Sequence, residues 1–151
     1  MRWARQLVKE VNRGVTLVEL MVTIAIMMIL ALASVPLGRS WIANSHIAEV
    51  NEKLIQAFSR ARTEALINRH GKIGEVSAYV RYSGNQLEVF DGNNNVVWVS
   101  TIYPDTIVTL DEICAGRIEL NADGLIVDAG CRAYTVSASG GTSISATLAG
   151  G

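Results

Sequence analysis

The hydrophobic pattern of the chain is dominated by one apolar run near its amino terminus. Residues 15–35 include a single charged side chain, Glu19, and the run is followed by Pro36. At about 1.5 Å of rise per residue, a helix of these 21 residues spans about 31 Å, the thickness of the hydrocarbon core of a bilayer. The run therefore predicts one membrane-spanning helix.

Beyond Pro36 the pattern becomes that of an amphipathic helix. Apolar residues recur at every third or fourth position, whereas charged residues largely occupy the other sides. The apolar stripe consists of Ile47, Val50, Leu54, Phe58, Ala61 and Ala65. Since proline cannot donate a backbone hydrogen bond and its ring clashes with the preceding turn, we expect a kink at Pro36. One helix should run from about Thr16 to about Arg69 and stop near Gly71, with the stripe packed on a sheet.

From Lys72 onward the apolar residues alternate with a period of two, and Gly, Asn and Asp separate the segments. This pattern predicts strands joined by hairpin turns, with turns at residues 83–85 and 91–95. The predicted strands are residues 75–82, 86–90, 96–102, 106–110, 117–120, 125–128, 132–138 and 143–148. The fold class is therefore α+β, a long helix against an antiparallel sheet domain.

The two cysteines, Cys114 and Cys131, lie on either side of a third predicted turn at residues 121–124. A two-residue loop at this turn would set the cysteines opposite each other and Arg117 opposite Asp128, and a glycine bulge would shift this register by one. In an oxidising envelope compartment, an even pair indicates one disulfide; a reduced pair is the alternative.

Charge distribution predicts the topology. The first 14 residues carry four basic and one acidic side chain, and a basic flank of this kind stays in the cytoplasm. A secretory signal would be cleaved after its apolar segment, whereas the boundary between Arg13 and Gly14 lies ahead of it. The remaining chain has nine basic and 13 acidic side chains, a net charge of −4, which argues against general binding of nucleic acid.

The basic leader, Gly14, Val15, Thr16 and Glu19, and the apolar run behind them, resemble the processing motif of type IV pilins and type II secretion pseudopilins. The resemblance implies that a prepilin peptidase cuts after Gly14 and methylates Val15, where these families usually have phenylalanine. It also implies that Glu19 pairs with the amino terminus of a neighbouring subunit and sets its register in a helical fibre. The alternative is an unpaired Glu19 in the headgroup layer. Pro36 falls where pilins commonly carry a helix-kinking proline.

Two further regions resemble the GspH/FimT-type minor pilins and pseudopilins. Residues 54–68, with Ala-Arg-Thr-Glu-Ala at their centre, resemble the helix end of that group, and we expect Arg62 and Glu64 to lie in solvent. The turn at 121–124 and residues 134–141 resemble its carboxy-terminal half. DNA-binding FimT members carry Gly-Arg-x-Arg where this chain has Gly-Gly-Thr-Ser, so their DNA-uptake role is not carried over.

The sequence contains no phosphate loop, nucleophile elbow or paired metal-ligand motif, so we predict no enzyme, cofactor or metal site. Asp91, Asn93 and Asn95 match the start of a calcium loop, but Val96 and Ile102 stand where glycine and glutamate are required. These residues are interpreted as an ordinary hairpin loop. The histidines at positions 46 and 70 are expected to be solvated or to cap the helix.

The expected organisation is a cleaved cytoplasmic leader at residues 1–14, a transmembrane and assembly segment at 15–36, a soluble helix at 37–70 and a β-rich periplasmic domain at 71–151. The resemblance implies a structural minor pilin of the type IV pilus, held in the inner membrane before incorporation. The alternatives are an H-type secretion pseudopilin and a DNA-uptake receptor. Expected partners are prepilin peptidase, other pilins or pseudopilins, and inner-membrane lipid.

Overall fold

A computed structural model describes residues 14–68, 71 and 75–149, apart from the side chains of Pro36 and Leu37. Its helix α1 (Leu17–Ile67) precedes two antiparallel sheets, which gives the α+β, type IV pilin-like architecture expected from the sequence. The strands are β1 (Ala78–Ser83), β2 (Gln86–Asp91), β3 (Val96–Thr101), β4 (Thr106–Leu110), β5 (Arg117–Leu120), β6 (Ala133–Ala138) and β7 (Ile144–Thr147). The boundary between two compact units falls between Leu37 and Gly38.

Helix α1 ends close to the predicted position. Its last residue is Ile67, after which Asn68 adopts a positive φ of 40° and Gly71 one of 62°. The Gly71 amide donates to the Asn68 carbonyl at 3.0 Å, which closes the turn after the helix. Arg69 and His70, which we expected in the last turn and as a cap, lie outside the described residues.

The predicted helix stripe is confirmed as the centre of the core. All six of its residues are at most 5% exposed, and they pack in one cluster with residues from both sheets. The largest fully buried side chains that the sheets contribute to that cluster are Val80, Leu87, Val89, Ile118, Leu120 and Val136. Burying a side chain of this size stabilises the fold by about 1.5–3 kcal/mol, so this stripe holds the soluble half of α1 on the sheets.

One residue of the helix was placed wrongly by the sequence. Glu64 was expected in solvent but is only 5% exposed, and its Oε1 lies 3.6 Å from Nη2 of Arg60. Arg62 is exposed as expected. Because Glu64 lies three residues after the buried Ala61, it is on the side of the helix that faces the sheets.

The sheets are connected by an excursion of the chain. Sheet order is β3-β2-β1-β5 in the first sheet and β4-β6-β7 in the second. The chain therefore leaves the second sheet after β4, adds β5 to the edge of the first, and returns as β6 to pair with β4. The predicted turns at 83–85 and 91–95 join β1 to β2 and β2 to β3.

The predicted strand at residues 125–128 is wrong. These residues form only an isolated bridge, between Leu120 and Ile126, because the chain turns at Asp128, which caps a short helical turn at Ala129–Arg132. Gly124 has a φ of +70°, and the Asn121 side chain accepts hydrogen bonds from the amides of Asp123 and Leu125. This loop shifts the register by one residue from the two-residue hairpin.

The predicted pairing of Arg117 with Asp128 is therefore also wrong. Arg117 Nε lies 2.6 Å from Oε1 of Glu119, and Asp128 Oδ1 instead accepts a hydrogen bond from the Gly130 amide at 2.9 Å. The disulfide is nevertheless formed between Cys114 and Cys131, whose Cα atoms are 5.3 Å apart. It joins the segment after β4 to the segment before β6, at the base of the excursion that contains β5.

Candidate assembly segment

Helix α1 begins with a side-chain cap in the processing motif. Thr16 Oγ1 accepts a hydrogen bond from the Glu19 amide at 3.2 Å, and the Thr16 carbonyl accepts one from the Leu20 amide at 3.1 Å. A threonine before the first helical residue satisfies one of the free amides of the first turn. The Thr16–Glu19 spacing is that of a capping box, so the helix start is encoded locally.

The surface of the segment after this cap is apolar and exposed. Large apolar side chains from Val15 to Val35 are between 51% and 75% exposed. The hydroxyls inside the run are satisfied within the helix, since Thr23 Oγ1 donates to the Leu20 carbonyl at 2.8 Å and Ser34 Oγ to the Leu30 carbonyl at 2.7 Å. By length and composition, α1 is one helix able to cross a membrane.

Glu19 is the one charged side chain of the run, one turn from the helix start. Within the described part of the chain, its carboxylate accepts no hydrogen bond and forms no ion pair. A carboxylate at the centre of a membrane helix costs about 2.5–3.5 kcal/mol on insertion scales. Glu19 lies in the first turn of α1, near one end of the apolar run.

Gly14 and Val15 lie just before the helix and are exposed, with Val15 67% exposed. No atom lies within 4 Å of the position that a Cβ on Gly14 would occupy. The backbone is helical through Pro36. The side chain of Pro36 is not described, so the predicted kink stays a prediction.

A cluster of side chains that was not predicted from the sequence connects α1 to the β3–β4 loop. We call this cluster the helix–loop clasp; it consists of His46, Glu49, Lys53, Tyr103 and Asp105. The rings of His46 and Tyr103 stack with centroids 3.7 Å apart, and His46 Nδ1 lies 3.0 Å from Asp105 Oδ2. Tyr103 donates its hydroxyl to Glu49 Oε2 at 2.6 Å, and Lys53 Nζ lies 2.9 Å from Glu49 Oε1. His46, Glu49 and Lys53 are spaced three and four residues apart and so share one helix face. This spacing is the one feature of the sequence that could have indicated the cluster.

Hydrogen bonds in the clasp shift the pKa values of its acids. The Tyr103 hydroxyl and the Lys53 ammonium group lower the pKa of Glu49, and the His46 ring lowers the pKa of Asp105. The bond to Glu49 raises the pKa of Tyr103, because the phenol must stay protonated to donate it. The groups are all at the surface, so the clasp positions the loop rather than forming a buried reactive site.

The loop at residues 140–143 packs directly on α1. The Thr142 amide donates to Asn44 Oδ1 at 2.7 Å, and a Cβ on Gly141 would lie 2.6 Å from Cδ1 of Ile47 and 3.1 Å from Cβ of Ala43. A side chain at position 141 would therefore have to displace a buried core residue. Outside this loop, Arg117 pairs with Glu119.

The comparisons with known proteins agree with this segment. Residues 11–35 match the family model described as the prokaryotic N-terminal methylation motif. Comparison with curated proteins and with solved structures finds no match. Proteins with this motif are pilin-like and structural rather than catalytic, and the motif implies processing by a prepilin peptidase and assembly with other pilins. The match therefore supports a type IV pilin-like or pseudopilin-like role for the chain.

Proposed function

We propose that the chain is a minor pilin of the type IV pilus, of the GspH/FimT type, and that its role is structural. The observation that carries the proposal is Glu19, a carboxylate without a partner in the described part of the chain, near the start of the otherwise apolar run at residues 15–35. Cleavage after Gly14 would create a positively charged amine on Val15, four residues before Glu19.

In this proposal the fibre replaces the membrane as the surroundings of the helix. The exposed apolar side chains of residues 17–35 pack against the same segments of neighbouring subunits, and Glu19 pairs with the amine of a neighbouring Val15. In the low-dielectric interior of a helix bundle, such a pair is worth far more than at a water-exposed surface. The pair therefore fixes the axial register, while the apolar contacts supply most of the adhesion.

An H-type pseudopilin of a secretion system would use the same segment, and it is the second candidate. The feature that favours the pilus is Pro36, which is typical of pilins and less so of this group of pseudopilins. Affinity purification of the membrane-extracted chain followed by mass spectrometry distinguishes the two. Co-purification of pilus components supports the proposal, whereas co-purification of secretion components alone would replace it with the pseudopilin role.

A DNA-uptake role has less support. The phosphate-contacting arginines of DNA-binding members have no counterpart at residues 140–143, and that loop lies close against α1. We expect the domain from residue 38 onward to bind duplex DNA only weakly at physiological salt. A gel shift with micromolar or tighter affinity that falls steeply with salt, and that is lost in Arg132→Ala, would contradict this.

The processing step is tested by sequencing the amino terminus of the mature protein from pilus-producing cells. We expect it to begin at Val15, and the variant Gly14→Trp to retain the leader. Glu19→Ala should insert into the membrane as well as the unchanged chain does but should fail to enter fibres. Glu19→Gln is the matched control, because it keeps the size and hydrogen-bonding capacity but removes the charge. Normal incorporation of both variants would show that Glu19 is merely interfacial.

A further inference from the structure

Trp41 is the most exposed large apolar side chain that the structure describes beyond residue 35, at 75%. Its neighbour Ile42 is 50% exposed, whereas Ala43 and Ile47 are 3% and 0% exposed because the sheet domain covers that face of α1. The domain thus packs on the helix from Ala43 onward but leaves the indole ring of Trp41 uncovered. Leaving an aromatic side chain of this size in water forfeits a large favourable burial term.

The position of Trp41 relative to the apolar run indicates what covers it. It lies six residues after Val35 in the sequence, and six residues of an α-helix rise about 9 Å. The polar layer on each side of a bilayer is about 5–8 Å thick. Because helical side chains tilt toward the helix N-terminus, the indole ring is directed back toward that layer.

Arg39 provides a second observation at the same level. It is the first basic residue after the leader, it is exposed, and it forms no ion pair with any described residue. A guanidinium group suits phosphate because its planar donors match two phosphate oxygens. An indole ring suits the adjacent ester layer because it has an apolar body and a single N–H donor.

We propose that Trp41 and Arg39 form a periplasmic lipid anchor: both side chains lie in the polar layer of the outer leaflet, the Trp41 indole beside the ester groups and the Arg39 guanidinium group bound to lipid phosphate. This inference rests on the proposed membrane anchorage of residues 15–35, and it adds that the unassembled subunit is held at a defined depth. Together with the basic leader on the other side, the anchor limits axial sliding of the helix. Trp41 leaves the lipid only when the subunit is extracted into a fibre.

The test uses the full chain carrying Trp3→Phe, reconstituted alone into phosphatidylcholine vesicles. Subtracting the emission of Trp3→Phe/Trp41→Phe isolates the signal of Trp41, and the remaining Trp98 of the sheet domain serves as an internal control. Vesicle flotation first reports insertion, which tests the proposed membrane segment separately. Trp41 emission is then measured with acyl chains brominated either near the ester group or near the terminal methyl group.

We expect a blue-shifted Trp41 emission that is lost most strongly with bromine near the ester group, and unchanged Trp98 emission. If the protein floats with the vesicles but neither lipid quenches Trp41, the residue is in water and the anchor does not exist. Stronger quenching by bromine near the methyl group would place Trp41 in the hydrocarbon core and also refute the proposal. A Trp41 signal that depends on the protein-to-lipid ratio would assign the surface to a second copy of the chain instead.

Discussion

Removing the disulfide should destabilise the sheet domain without affecting the membrane segment. The bridge joins Cys114, at the end of the short helical turn after β4, to Cys131, in the turn before β6. The last backbone pair of the β4–β6 ladder is Leu110 with Tyr134, so the bridge lies just beyond the end of that ladder. Between the two cysteines the chain crosses to the other sheet and forms β5.

The magnitude follows from the length of the closed loop. The two cysteines are 17 residues apart, and restricting a loop of this length in the unfolded chain stabilises the folded state by about 3 kcal/mol on the chain-entropy model. Both side chains are buried, at 4% and 5% exposure, but alanine differs from cysteine only by the sulfur atom, so the substitutions leave only small cavities. For a domain of this size, a change of about 3 kcal/mol corresponds to a fall in Tm of about 10–20 °C.

The assay is urea unfolding of the domain from residue 38 onward, followed by circular dichroism. The comparison is between the oxidised chain, the same chain in reductant, and Cys114→Ala/Cys131→Ala. We expect the reduced chain and the double variant to be similarly destabilised, and the double variant not to respond to reductant. Equal unfolding midpoints for the oxidised and reduced chain would refute the reasoning, because they would mean that the bridge adds no constraint that the β4–β6 pairing does not already impose.

Three further predictions concern the same domain. Gly124→Ala should cost more free energy of unfolding than Gly84→Ala, because both positions have positive φ but only at Gly124 would a Cβ meet another side chain, 2.9 Å from Arg62 Cγ. Leu54→Ala should cost about 2–5 kcal/mol in urea unfolding, against less than about 1 kcal/mol for the 40%-exposed Ile55→Ala. The free energy of unfolding should fall on acidification below about pH 4.5. The pKa values of the two clasp carboxylates, Glu49 and Asp105, are lower in the folded chain than in the unfolded chain. Their contribution to stability is therefore complete above the unfolded-state pKa values and is lost as the pH falls through the folded-state values.

Each of these has an outcome that would contradict it. An equal loss of unfolding free energy for Gly124→Ala and Gly84→Ala would mean that the turn at Gly124 can move away from α1 without cost. A similar loss for the buried and the exposed apolar residue would mean that the helix stripe is not the main contact with the sheets. For the pH prediction, Glu49→Gln/Asp105→Asn should remove part of the acid dependence, and an unchanged profile would mean that the clasp is open in solution.

Elements with strong local signals could be predicted from the sequence. The alternation of apolar residues every third or fourth position placed the helix stripe correctly, because a helix side is determined by neighbours within two turns. The hairpin turn at Gly84 was likewise identified, since positive φ strongly favours glycine. The threonine cap at Thr16 belongs to the same class, because donor and acceptor lie three residues apart.

Features that depend on distant parts of the chain could not be predicted. The pairing of β5 with β1 is such a feature, because β1 lies about 40 residues earlier in the sequence. The disulfide was correctly paired even though the assumed register was off by one, because two cysteines at the base of an excursion remain close in either register. Contacts such as His46 with Asp105, 59 residues apart, leave only a faint sequence pattern.

In the proposed function, helix α1 uses separate sets of residues for assembly and for folding. From Leu17 to Val35 its side chains are exposed on all sides, whereas the stripe from Ile47 to Ala65 is buried by the chain's own sheets. A change at Glu19 should therefore leave the folding of the domain intact while altering assembly. A change in the stripe or the disulfide should lower stability of the domain while leaving membrane insertion intact. Because the two sets do not overlap, measuring insertion and unfolding on the same variants separates assembly defects from folding defects.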